Sequence, residues 1–167
     1  MLTRLSLVAL LAMCPGAASS QQKENPARSC YQALAENPRL APIREKVSLG
    51  GNLDEMRRLT RSGDRASQQE GAALAAWRNA RGDCHQLELP YFATRDSEIG
   101  ALSRGHFDSL QALILGLETG ALTYGEFGAR RVDLYERTTS RIEAVRRRIS
   151  PQYTCRRGEA CEASENR

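Results

Sequence analysis

Residues 120–131 read GALTYGEFGARR, and this stretch decides the fold because it ends one helix and begins the next. Gly120 suits the position just after a helix, where the backbone turns left-handed. Thr123 and Glu126 have the spacing of a capping box, and Leu122 and Phe127 have the spacing of a hydrophobic staple. Because only two residues separate Gly120 from Thr123, the two helices are predicted to run antiparallel.

Apolar residues at spacings of three and four on both sides of this turn predict two long helices. The first is expected to begin near Asp96 and the second at Thr123. The apolar face before the turn is expected to hold Ile99, Leu102, His106, Phe107, Leu110, Leu113, Ile114 and Leu117. The face after the turn is expected to hold Phe127, Leu134, Thr138, Ile142, Val145 and Ile149.

A further long helix is predicted upstream, where Ser67 and Glu70 form a second capping box. Pro90 is expected to end it. Its apolar face is expected to hold Ala73, Trp77, Ala80, Cys84 and Leu87. Two shorter helices are predicted before it, one opening at Asn25 and one at Asn52. No strand pattern of any length occurs, so the fold class is all-α: a small disulfide-stapled helical bundle ending in an antiparallel helical hairpin.

The first twenty residues have the pattern of a secretory signal peptide. Arg4 precedes an apolar run over 5–13, Pro15 follows, and small residues fill 16–20. Cleavage after Ala18 or Ser20 would release a periplasmic or secreted protein, and no later stretch is apolar enough to span a membrane. An alternative is an outer-membrane lipoprotein anchored through Cys14, since residues 11–14 loosely resemble a lipobox.

Four cysteines follow this segment, and an even number in an exported chain predicts two disulfides. They are Cys30, Cys84, Cys155 and Cys161. Three pairings are possible, and we favour Cys30 with Cys84 and Cys155 with Cys161, the second closing a small loop. The expected organisation is therefore a signal peptide over 1–20, a helical domain over 21–150, and a polar tail over 151–167 that carries the small loop.

The sequence holds none of the common catalytic motifs, such as a GxSxG elbow, a glycine-rich phosphate loop or HExxH. We expect no catalytic residues, no bound metal and no cofactor, and the chain is not predicted to be an enzyme. His106 lies on an apolar face, which favours a packed histidine. A metal- or redox-responsive protein using Cys84, His85 and His106 remains a second alternative.

Arginines are concentrated near the carboxyl end, where residues 129–157 hold nine of them against three acidic residues. Within the last predicted helix they are Arg130, Arg131, Arg137, Arg141, Arg146, Arg147 and Arg148. Such a strip could bind an anionic envelope component or an acidic protein. Nucleic acid is not an expected partner, because aromatic residues do not alternate with the basic ones. The predicted function is therefore non-catalytic binding, as an envelope accessory or inhibitor protein.

Three resemblances accompany these patterns. Residues 120–134 resemble the SHOCT-type helical hairpin on Gly120, Leu122, Thr123, Glu126, Phe127, Arg131 and Leu134, which implies oligomerisation or tethering. Trp77, Arg81 and Cys84 resemble the W-x3-R-x2-C segment of the LprI-type lysozyme-inhibitor family, which implies an exported helical protein with a stapling disulfide, although that family's earlier cysteine pair is missing here. The layout from SCYQALAENPRLAPI through WRNARGDC to GALTYGEFGARR is similar to small uncharacterised exported proteins of Gram-negative bacteria.

Overall fold

The computed structural model describes residues 25–93 and 97–149, and within these ranges the chain forms helices and no strands. The helices are α1 (Arg28–Ala33), α2 (Leu53–Arg58), α3 (Gln68–Ala93), α4 (Ser97–Glu118) and α5 (Tyr124–Ile149). Three short 3₁₀ segments lie between them, at Leu34–Glu36, Pro38–Ile43 and Leu59–Arg61. The predicted all-α fold is confirmed.

The hairpin of α4 and α5 forms as expected from GALTYGEFGARR. Gly120 has a φ of +72°, and its N–H donates to the Leu117 carbonyl at 3.1 Å, which closes the last turn of α4. The Glu126 N–H donates to Thr123 Oγ1 at 3.2 Å, and the Thr123 N–H donates to Glu126 Oε2 at 2.8 Å. These reciprocal bonds are the predicted capping box, so residues of the turn itself set the end of α4 and the start of α5.

The start of α3 also follows the prediction, but its end does not. The Ser67 N–H donates to Glu70 Oε2 at 2.8 Å, and the Glu70 N–H donates to Ser67 Oγ at 3.3 Å. The helix then continues through Pro90 to Ala93, so the expectation that Pro90 ends it is wrong. Pro90 leaves the Gln86 carbonyl without its helical donor, but both residues are exposed and water can solvate that carbonyl.

The three long helices form a layer in which α4 lies beside both α3 and α5 and runs antiparallel to each. The Arg78–Glu118 ion pair joins α3 to α4, and the Arg148–Glu98 ion pair joins α4 to α5. The segment Pro38–Ile43 packs on α3, and both α2 and Leu59–Arg61 pack on α5. None of the helices in the described ranges has the length and apolar character needed to cross a bilayer.

The core is mainly the predicted apolar faces, with local differences. Trp77, Ile114 and Leu117 are fully buried, and so is Leu74, which the predicted face of α3 omitted. Leu87 and Ile149 were expected inside but are 49% and 55% exposed. Both lie toward the carboxyl end of their helix, and the neighbouring elements there leave one side of the helix uncovered.

A disulfide joins Cys30 of α1 to Cys84 of α3, which confirms the expected pairing. It spans 54 residues of sequence, so it ties the amino-terminal segment onto the middle of the bundle. The predicted Cys155–Cys161 pair, the signal segment and the polar tail lie outside the described residues.

Candidate functional site: the Arg81 cavity and the basic end of α5

Two arginines, the buried Arg131 and the half-buried Arg81, contact the ring of Trp77. The guanidinium carbon of Arg131 lies 5.2 Å from the ring centroid, and that of Arg81 lies 5.7 Å from it. Arg131 is 4% exposed, and its Nη1 donates to the Ser48 carbonyl at 2.6 Å. Burial lowers the pKa of Arg131 to about 9, so the guanidinium stays charged at neutral pH.

Arg131 therefore does not belong to the exposed strip in which the sequence placed it. Its helical position explains why, since it lies four residues after Phe127 and three before Leu134, both of which are buried. The arginine shares their face and fills core space between α5 and Trp77. Its guanidinium lies 5.9 Å from the Phe127 ring, so the charge interacts with two aromatic faces.

Arg81 is the more unusual of the two, because its charge lacks a direct partner. Its guanidinium carbon lies 4.9 Å from the Tyr31 ring centroid, and its Nε is buried without a hydrogen-bond partner. No ion pair joins it to a carboxylate in the described part of the chain. Burial lowers its pKa, while the nearby Tyr31 and Glu88 oppose that shift.

Glu88 is the carboxylate whose charge acts on Arg81. Its oxygens, however, accept hydrogen bonds from other groups. Asn25 Nδ2 donates to Oε1 at 2.8 Å, and the Tyr31 hydroxyl donates to Oε2 at 3.1 Å. His85 Nδ1 lies 3.2 Å from the same Oε2, and because a carboxylate only accepts, that nitrogen carries the proton. Burial and the Glu88 charge raise the pKa of Tyr31, so its hydroxyl remains a donor.

Arg81 lies in the wall of a cavity of about 230 Å³, which we call the Arg81 cavity. It is formed by α1, α3, α4 and α5, and its lining residues are Tyr31, Arg81, Glu88, Phe92, Ser103, His106, Phe107, Tyr135, Thr138, Thr139 and Ile142. Polar groups therefore occupy part of the wall, and aromatic and aliphatic side chains occupy the rest.

His106 contributes a neutral imidazole to this wall. Thr138 Oγ1 donates its only proton to the Leu134 carbonyl at 2.8 Å, so it accepts from His106 Nδ1 at 3.2 Å. The proton therefore resides on Nδ1 and leaves Nε2 as an acceptor. Burial, with the charges of Arg81 and Arg131, lowers the pKa of His106 and keeps the ring neutral.

The other sequence-predicted residues lie apart from this cavity or play structural roles. Cys84 is in the disulfide with Cys30, and the adjacent His85 stacks on Phe107 at 3.8 Å between ring centroids. Across the described residues no group of three or more histidine, cysteine or acidic side chains could hold a metal ion. The metal- or redox-responsive alternative would therefore need groups outside these residues or a change in the disulfide.

The structure divides the remaining predicted arginines of α5 into two sets. Arg137 is paired with Asp133 at 2.7 Å, and Arg148 is paired with Glu98 at 2.6 Å. Arg130, Arg141, Arg146 and Arg147 are exposed, and no ion pair neutralises them in the described ranges. Three of these four lie in the last three turns of α5, and we call Arg141, Arg146 and Arg147 the basic end of α5.

Arg81 was missed as a site residue by the analysis of the sequence, although a signal for it was present. It lies four residues after Trp77 and three before Cys84, so it falls on the buried face of α3. A charged residue on an otherwise apolar face indicates a buried charge. Glu88, four residues after Cys84, carries the same signal. No protein-family model, no curated protein and no solved structure matches this chain.

Proposed function

We propose that the chain is an exported, disulfide-linked helical protein that acts by binding an anionic surface of the cell envelope and not by catalysis. The signal-peptide pattern of residues 1–20 supports export to the periplasm or beyond. The Cys30–Cys84 disulfide agrees with an oxidising compartment, because such bonds persist mainly outside the cytosol.

The observation that carries the proposal is the unpaired positive charge at the basic end of α5. Arg146 and Arg147 are adjacent and project about 100° apart, and Arg141 lies about 9 Å from Arg147 along the helix. The charge therefore surrounds the end of α5. An anionic lipid or lipid A surface is the partner class that fits arginines projecting in several directions. Such a surface binds cations without requiring one fixed geometry.

Vesicle binding tests the proposal. The mature chain should bind vesicles of equal parts phosphatidylglycerol and phosphatidylcholine, and added salt should weaken that binding. At about 1 kcal/mol per arginine near an anionic surface, the triple variant R141Q/R146Q/R147Q should bind roughly 100-fold more weakly.

A matched control removes the same charge from another exposed region. Arg58, Arg61 and Arg104 are exposed on α2, Leu59–Arg61 and α4. The variant R58Q/R61Q/R104Q should therefore bind the vesicles within about threefold of the wild type. The remaining difference would come from long-range charge alone. Equal losses in the two triple variants, or no binding by the wild type at low salt, would contradict the proposal. Amino-terminal sequencing of the protein from cells should find Ser19 or Gln21 first.

A further inference from the structure

The guanidinium of Arg81 is held in place but not neutralised. The rings of Tyr31 and Trp77 lie within 6 Å of it, and its Nε is buried without a partner. A buried charge is costly unless it is paired and hydrogen-bonded. In the described structure that pairing is incomplete, so an anion reaching this guanidinium would supply what the protein does not.

The surrounding charges favour such an anion. Glu88 is committed to Asn25, Tyr31 and His85, and its oxygens make no ion pair with Arg81. The buried guanidinium of Arg131 lies against the same Trp77 ring and adds positive charge. The charge of Arg131 is partly offset by Glu55, whereas Glu88 is the carboxylate that acts on Arg81 and its oxygens are already hydrogen-bonded to other groups. The guanidinium of Arg81 therefore keeps uncompensated positive charge at the cavity wall.

The apolar part of the cavity wall indicates what kind of group the ligand carries beside its anionic group. Phe92, Phe107 and Ile142 line it, and neutral His106 adds an aromatic surface. A dry apolar cavity of about 150 Å³ is known to hold benzene, so about 230 Å³ accommodates a single ring or a short acyl chain together with a carboxylate. An inorganic anion would meet Arg81 but would leave the apolar wall uncovered.

We infer that the Arg81 cavity is a binding site for a small monocarboxylate with an aromatic or short aliphatic body, its carboxylate on Arg81 and its body against Phe92, Phe107 and Ile142. A planar guanidinium matches a carboxylate geometrically, and this charge-assisted contact is stronger than a neutral hydrogen bond. The site is separate from the basic end of α5.

Trp77 allows the inference to be tested directly, because it is the one tryptophan in the chain and its ring contacts Arg81. The oxidised mature protein is titrated with 3-phenylpropionate, with octanoate and with 3-phenylpropanamide, and Trp77 fluorescence is followed. We expect both acids to bind and the neutral amide to bind at least tenfold more weakly than 3-phenylpropionate. Equal binding of acid and amide, or no acid binding at millimolar concentration, would overturn the inference.

Variants locate the site. R81Q should weaken 3-phenylpropionate binding at least tenfold while leaving amide binding within twofold. The control R78Q removes an arginine of the same helix that is paired with Glu118 and does not line the cavity, so it should bind like the wild type. If R81Q fails to fold, the acid-to-amide ratio of the wild type still decides the question.

Two further measurements distinguish a carboxylate site from a simple anion site, and the Arg81 cavity from the basic end of α5. Sodium sulfate that competes with 3-phenylpropionate as strongly as octanoate does would indicate a simple anion site and contradict the apolar part of the inference. The R141Q/R146Q/R147Q variant should bind 3-phenylpropionate normally, so failure of vesicle binding and failure of the cavity site are independent results.

Discussion

At the scale of single residues, the molecule is distinguished by charged side chains on buried helix faces. Arg81 and Arg131 contact Trp77 from α3 and α5, and each follows a buried aromatic residue by four positions. Their long apolar stems pack in the core while their heads contact aromatic faces. Of the two, Arg81 lines the Arg81 cavity and gives its wall a positive charge.

His106 provides a pH-dependent prediction at this scale. Its pKa is lowered in the fold, so below about pH 6.5 the unfolded chain takes up a proton more readily than the folded chain, and stability falls with the pH. H106Q removes this dependence. Urea unfolding midpoints at pH 7.5 and 5.5 should therefore differ less for H106Q than for the wild type.

The groups that face His106 are Arg81, Arg131 and Glu88, and all three remain in the H106Q variant. The substitution R104Q, on the exposed side of the same helix, serves as the control and should keep the wild-type difference between the two midpoints. An unchanged pH dependence in H106Q would show that its imidazole is protonated equally in both states.

At the scale of elements, the start of α5, which the capping box defines locally, also bonds to the chain before α3. The N–H groups of Tyr124 and Gly125 donate to the carbonyls of Asp64 and Ser62 at 2.9 and 2.7 Å. The Glu126 N–H donates to Thr123 Oγ1, and the Thr123 N–H donates to Glu126 Oε2. All four donors that a helix start leaves unpaired are thus bonded within the protein, so this helix end offers no free anion site.

Gly125 permits this contact, which gives a prediction for α5. A Cβ at this position would lie 2.5 Å from the Ser62 carbonyl oxygen and 2.7 Å from that of Thr60. Because both atoms belong to the backbone, G125A should lower the free energy of unfolding by about 1–3 kcal/mol or more, measured by urea denaturation.

A second glycine in a long helix provides the matched control. Gly105 is exposed in α4, and a Cβ there would meet nothing within 4 Å. G105A should therefore raise the free energy of unfolding by about 0.5–1 kcal/mol through helix propensity and reduced chain entropy. A stabilising G125A would mean that α5 does not approach Leu59–Arg61 so closely.

At the scale of the whole molecule, the disulfide joins two parts with different packing. The amino-terminal portion consists of short helices and 3₁₀ segments, whereas α3, α4 and α5 are 22 to 26 residues long. Short helices depend on tertiary contacts for their stability. Since Tyr31 follows Cys30 and lines the Arg81 cavity, the disulfide also holds one wall of that cavity in place.

Removal of the Cys30–Cys84 disulfide should lower the free energy of unfolding of the whole molecule. A loop closed over 54 residues stabilises the folded state by roughly 4 kcal/mol through the entropy of the unfolded chain. C30S/C84S should lose about that much in urea unfolding. The wild type should lose a similar amount when reductant is added, and the double variant, which keeps only the predicted small loop of Cys155 and Cys161, should lose much less. A wild type insensitive to reductant would contradict the assigned bond.

The starts of α3 and α5 and the end of α4 were predictable because their causes lie within a few residues. The capping boxes at Ser67 and Thr123, the turn at Gly120 and most of the apolar faces all depend on spacings of three or four. The positions that differed, Pro90 inside α3 and exposed Leu87 and Ile149, depend on which neighbour covers a helix end. Which neighbour covers a helix end is decided by the tertiary structure and not by the sequence nearby.

Local spacing therefore accounts for the helices and the hairpin, whereas the cysteine count left three pairings open and the tertiary structure brings Cys30 to Cys84. The three-dimensional arrangement alone decided that Arg131 is buried, since its partners Ser48 and Trp77 lie 83 and 54 positions away in the chain. It also decided that, among residues 25–93 and 97–149, no carboxylate pairs with Arg81 while Glu88 bonds to Asn25 from 63 positions away. Spacing along a helix reveals which side a residue occupies, but the charge balance of a cavity depends on which distant segments meet there.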